Sequence, residues 1–160
     1  MHERFGTNWR LTEPQAAIGR IQLRKLDHWV EKRRRNAAIL AERLSALPAL
    51  RIPAVPARMY HAYYKFYAYV RPEALKTGWS RDRLLAAIVE TGVPCFSGSC
   101  SEIYRERAFH NTRWIPAERL PVAAELGETS LMFLVHPTLE EHHMHAVCDA
   151  VEYAIRQATA

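Results

Sequence analysis

The spacing of apolar positions changes several times along the chain, and each change predicts an element. Ala37, Leu40, Ala41, Leu44 and Leu47 recur at intervals of three and four, a single helical face that ends near Pro48. Before it, Thr12 with Gln15 three residues on fits a capping box, and Pro14 is tolerated in a first helical turn. The helix opened there mixes small residues (Ala16, Ala17, Gly19) with Ile18, Ile21, Leu23, Leu26 and Trp29. These do not form one narrow stripe, so this helix is expected to be covered on more than one side, as at a subunit interface.

From His61 to Val70 the period falls to two, which predicts a strand. Tyr64, Phe66, Ala68 and Val70 make its apolar side; His61, Tyr63, Lys65, Tyr67 and Tyr69 make a side suited to a cleft. Ser80 is a candidate N-cap for a helix carrying Leu84, Leu85, Ile88 and Val89, with Gly92 at its end. Val93 to Phe96 reads as a short strand, and Ser97 to Phe109 as a loop whose second half is helical. Pro121 to Leu126 forms a helical turn stopped by Gly127, and Leu131 to Val135 a strand closed by Pro137. Thr138 with Glu141 suggests a second capping box, for a helix whose core side holds Val147, Val151, Ala154 and Ile155. The sum is an α+β fold: a small, mostly antiparallel sheet with helices packed on one face, preceded by two long N-terminal helices. The order of strands does not follow from the pattern.

At 160 residues, 49% of them hydrophobic and 24% charged, the chain suffices for one compact domain. Cys95, Cys100 and Cys148 are an odd number without metal-ligand spacing, which suits a reducing compartment. No apolar run reaches the length of a membrane span, and the charged N-terminus does not read as a signal peptide, so the expected location is the cytoplasm. The net charge of +5 raises a nucleic-acid-binding domain as one reading. Its densest basic run, Lys32 to Arg35, spreads around a helix at about 100° per residue. A solvated face with Asp27, Glu31 and Glu42 as partners is the expectation, and no nucleic acid.

Four places could carry chemistry. Asn8 and Arg10 stand two residues apart before a helix N-terminus, an arrangement suited to an anion. His61, Tyr63 and Lys65 open the aromatic strand. Lys65 lacks, in sequence, the acid and phosphate cup that a Schiff-base lysine requires, and is retained as a substrate contact. The loop from Pro94 to Tyr104 is flexible and rich in hydroxyls, with Ser99, Glu102 and Tyr104 as its polar candidates, while Cys95 and Cys100 have no base beside them. Glu141 and His145 have metal-ligand spacing, but carboxylates are favoured in a first helical turn anyway, and no metal is expected.

The stretch FGTNWRLTEPQAAIGRIQLRKLD (Phe5 to Asp27) resembles the GxNxR-helix segment of the DegT/DnrJ/EryC1/StrS aminotransferases, which depend on pyridoxal phosphate. HAYYKFYAYV (His61 to Val70) and LPVAAELGETSLMFLVHPTLEE (Leu120 to Glu141) are similar to that family's aromatic strand and its closing strand and helix. The resemblance implies the C-terminal portion of a fold type I enzyme: residues 1–27 end the large, dimer-facing domain and residues 28–160 form the small domain. It implies an N-terminal large domain carrying the cofactor lysine upstream, a homodimer, and amino transfer from glutamate to a nucleotide-bound keto-sugar. Such products serve lipopolysaccharide, O-antigen or related sugars. Asn8 and Arg10 fall on positions that reach the partner's cofactor phosphate; His61, Tyr63, Lys65, Ser99, Glu102 and Tyr104 fall on the substrate cleft. This chain has no histidine between His61 and His110, where many members carry one. By itself it is expected to hold no cofactor covalently and to be inactive. A stand-alone, non-catalytic binding or regulatory domain is the alternative.

Overall fold

A computed structural model describes Gly6 and residues 10–159 of the chain. Its helices are α1 (Glu13–Leu23), α2 (Leu26–Leu44), α3 (Arg81–Glu90), α4 (Pro121–Thr129) and α5 (Glu141–Ala158). Its strands are β1 (Leu50–Arg51), β2 (Phe66–Val70) and β3 (Ser130–Phe133), paired antiparallel in the order β1-β2-β3. Phe66 faces Phe133 and Leu50 faces Val70, so β2 is the centre of the sheet. The fold is α+β, as the periodicities predict.

One face of the sheet is roofed by α2, α3 and α5. Leu40 and Leu44 from α2, Leu84 and Ile88 from α3, and Met144 and Val151 from α5 meet Phe66, Ala68, Leu131 and Phe133 in one cluster. Apart from Ala68, each such side chain removed from water contributes about 1.5–3 kcal/mol. Two polar ties fix α2 in place. Arg43 donates to Asp149 at 2.7 Å and to Glu152 at 2.6 Å on α5. Asn36, fully buried, donates to the carbonyls of His136 (3.3 Å) and Leu139 (3.1 Å) in the connection leading to α5. Its Oδ1 accepts no hydrogen bond among the described residues.

The predicted elements are corrected at several points. The strand expected from His61 begins at Phe66, and Tyr64 is 76% exposed instead of in the core. The backbone turns away at Tyr63, whose φ of 47° lies in the left-handed region. Residues 93–96 contribute one isolated bridge, Phe96 to Met132, and the second half of 97–109 is two single 3-10 turns. Gly127 does not stop α4, which runs on to Thr129. A Cβ at Gly127 would overlap Ser101 Oγ, so this glycine admits the neighbouring loop. The box at the start of α5 is formed by Glu140 and His143, not Thr138 and Glu141; Glu140 N–H donates to His143 Nδ1 at 3.0 Å. Thr12 and Gln15 do cap α1, yet among the described residues none of α1 is buried.

Candidate functional site

The outer face of β2 builds the site. Alternation that sends Phe66, Ala68 and Val70 into the core leaves Tyr67 and Tyr69 half-buried on the opposite side. Their rings stack with centroids 6.4 Å apart, and the Arg51 guanidinium of β1 lies 4.5 Å from the Tyr69 ring. Beside them a cavity of about 180 Å³ lies between residues 52–55 and the side chains of His61, Tyr63, Lys65, Tyr67 and Tyr69. Its lining holds a cation, an imidazole and phenols but no carboxylate. That donor set suits an anionic or hydroxyl-rich ligand with a planar group.

The turn before β2 presents two of those donors. His61 Nδ1 accepts the Tyr63 N–H at 3.0 Å, which assigns the proton of the neutral ring to Nε2. The two rings meet edge to face at 4.3 Å. Lys65 Nζ sits 5.5 Å from the ring of exposed Tyr64. A bulky residue in the left-handed region costs of order 1–3 kcal/mol and persists where its surroundings hold it. Here α2 holds it. Arg34 donates to the His61 carbonyl at 2.9 Å, and Arg33 to those of Tyr63 (3.3 Å) and Tyr64 (2.8 Å).

Across from the turn, the 97–101 segment closes over Tyr67. Ser99 N–H donates to Tyr67 Oη at 3.3 Å, and the two hydroxyls lie 3.4 Å apart. Gly98, at φ 93°, lets the ring approach: a Cβ there would stand 2.6 Å from Tyr67 Cε1. Glu102 turns the other way. Both its oxygens accept from Arg119 at 2.7 Å, and Oε1 also accepts the Tyr104 hydroxyl at 2.7 Å. These donors, Arg119 foremost, hold its carboxyl well down, at about 2. Tyr104 Oη in turn accepts the Leu120 N–H at 3.0 Å.

The sequence-selected residues therefore separate into groups. His61, Tyr63 and Lys65 share one cavity, whereas Ser99, bonded to the Tyr67 hydroxyl, lines with Glu102 a separate cavity of about 420 Å³. Glu102 accepts from Arg119 and from the Tyr104 hydroxyl, which itself accepts the Leu120 N–H. Arg10 is exposed just before α1, and Asn8 lies outside the described residues. The basic run does not form the solvated face expected of it: Lys32 pairs with Glu140 at 2.6 Å, and Arg33 and Arg34 serve the turn. Sequence reading missed that role, as well as Arg51 and Arg119, because their partners are far away along the chain. Burial, in the first place, pushes the Cys95 thiol up to about 12 and Cys148 to about 11, which makes both poor nucleophiles. Among the described residues no three His, Cys, Asp or Glu side chains gather as a metal site, and no helix is long and apolar enough to cross a membrane.

None of the four lysines fits a covalently held pyridoxal phosphate. Lys32 is paired with Glu140, Lys76 donates to the Gln157 carbonyl, and Lys25 lies near Trp29. Lys65 lines a cavity without the acid that a pyridinium nitrogen needs.

The model of the DegT/DnrJ/EryC1/StrS aminotransferase family matches residues 1–152. A curated relative, the dTDP-4-dehydro-2,3,6-trideoxy-D-glucose 4-aminotransferase of Saccharopolyspora spinosa, is 28% identical over 148 residues, covering 89% of this chain and 35% of its own length. Among solved structures, the aminotransferase from Psychrobacter cryohalolentis superposes with a TM-score of 0.86 at 47% identity, over 99% of this chain and 42% of that one. S. venezuelae DesV does so with a TM-score of 0.78 at 28% identity, over 96% and 39%. The chain thus spans well under half the length of these relatives.

Proposed function

The chain belongs to the DegT/DnrJ/EryC1/StrS aminotransferase family, and from that premise we propose that it is the C-terminal portion of a nucleotide-sugar aminotransferase, in which it forms one wall of the substrate cleft. In this reading residues 1–27 close the large domain and residues 28–160 are the small domain. The remaining chain holds pyridoxal phosphate, which when bound supplies the electron sink for amino transfer. Asn8 and Arg10 serve the cofactor phosphate of a second copy in a cytoplasmic homodimer. Glutamate is the amino donor, a nucleotide-linked keto-sugar the acceptor, and lipopolysaccharide or a related glycan the destination. The portion by itself is inactive.

The observation that carries this reading is the carboxylate-free cavity beside the tyrosine face. His61 donates through Nε2–H and Lys65 through its ammonium to phosphate or sugar oxygens, while Tyr67 and Tyr69 offer ring surface to a planar base. Ser99 holds the Tyr67 hydroxyl. Glu102 and Tyr104, engaged with Arg119, act by shaping the loop instead of meeting substrate.

Titration of the chain with thymidine diphosphate, followed by NMR, tests the assignment. Perturbed amides are expected at residues 52–69 and 97–99. A silent titration, or perturbations confined to α2 or α5, would refute the substrate wall.

A further inference from the structure

The cavity wall is carried on a turn that its own residues disfavour. Tyr63, at φ 47°, places its N–H on His61 Nδ1, and the carbonyls flanking that bond point at α2. Arg34 takes the His61 carbonyl at 2.9 Å and lies 4.3 Å from the Tyr60 ring. Arg33 takes the Tyr63 and Tyr64 carbonyls at 3.3 Å and 2.8 Å and lies 5.7 Å from the Tyr64 ring. The same Tyr64 ring has Lys65 Nζ 5.5 Å from its centroid. One arginine therefore fixes the residue that bears the imidazole, and the other fixes the ring against which the ammonium rests. Both are partly buried, whereas Arg35, next along the helix, is exposed.

We propose that Arg33 and Arg34 are positioning residues for the substrate wall: from behind, they hold the 60–64 turn so that the His61 Nε2–H and the Lys65 ammonium are presented together at the cavity both line. The inference deepens the reading above and rests on it for what the cavity binds. Arginine is required for this task. Its fork donates along fixed directions while its planar face lies on a ring, and lysine, a single point donor, reproduces only part of that.

The test is NMR on the intact chain, first without ligand and then with thymidine diphosphate. Arg33→Gln and Arg34→Gln are expected to speed Tyr63 amide exchange about tenfold. They should also abolish the ring-current displacement that Tyr63 imposes on the His61 ring protons, and weaken the diphosphate about tenfold. Arg35→Gln should change none of these, and Arg34→Lys should recover part of each. Unchanged His61 shifts and Tyr63 exchange in both glutamine variants would overturn the proposal. So would loss of that signature with diphosphate affinity still at its original level. Should a glutamine variant fail to fold, the Arg33→Lys and Arg34→Lys variants decide: partial loss supports positioning, and unaltered behaviour in both overturns it. Because the signature is read without ligand, an original chain that ignores the diphosphate counts against the cavity's assigned substrate and not against the holding of the turn.

Discussion

The 60–65 turn and the 97–104 loop border the same tyrosine face, and both read from sequence as substrate-facing, yet they use their polar groups in opposite ways. In the turn, backbone carbonyls occupy the arginines, and the side chains of His61 and Lys65 stay at the cavity. In the loop, side chains occupy one another: Glu102 is enclosed by Arg119, Tyr104 and Arg105. An ionisable side chain is available to a ligand where something else satisfies the segment that carries it. Spacing along a sequence does not reveal which of the two cases applies.

Three changes would sharpen or break this contrast. The largest effect is expected from Gly98→Ala. A side chain at φ 93° costs about 1–2 kcal/mol, and overlap with the Tyr67 ring about 1–3 more. Urea unfolding should register a loss of about 2–5 kcal/mol; an unchanged midpoint would mean that the ring is not seated against the loop. Next comes a paired comparison of thymidine diphosphate affinity. Lys65→Ala should weaken it about tenfold or more, the worth of a charge-assisted hydrogen bond, while Glu102→Gln leaves it within about twofold. The reverse ranking would transfer the ligand from the turn to the loop. The smallest effect is a pH dependence. Glu102 has its carboxyl lowered from 4.5 to about 2, chiefly by Arg119, so its stabilisation is fully present above 4.5 and is lost as pH falls through about 2. Amide exchange of residues 99–106 should therefore stay slow across the mildly acidic range, and Arg119→Gln should move the opening up toward 4.5. Opening of the unaltered loop already at pH 5 would show that the clasp does not hold it.

The core was legible because its signal is periodic. Leu40, Leu44, Leu84, Ile88, Val151 and Ile155 all fall inside as their spacing predicts. The alternation through Phe66, Ala68 and Val70 also held, but the same alternation extended back to Tyr64 failed. A period of two continues in the letters whether or not the backbone continues, and a left-handed residue at 63 leaves no mark on it. Gly127 misled for a related reason: glycine serves both as a helix stop and as room for a neighbour, and only the nearness of Ser101 distinguishes them. β1, at two residues, is too short to carry a pattern. His61, Tyr63 and Lys65 line one cavity because one short segment carries them. The arginines that hold this segment sit about thirty positions upstream, and Arg119 is 17 positions from Glu102. Such pairings are set by tertiary packing, which no local spacing encodes.

The uncovered α1 has a thermodynamic consequence. Isolated helices shorter than about 12–15 residues are marginal in water, and α1 has 11 residues, one capping box and nothing buried. Ordering its backbone costs about 1–2 kcal/mol per residue, and no burial among the described residues offsets that sum. A surface that covered Ile18 and Ile21, 59% and 53% exposed, would therefore supply part of the helix's folding free energy together with its own adhesion. Association through α1 would then couple folding to binding, with a larger heat-capacity change and a lower affinity per unit area than docking of a preformed helix.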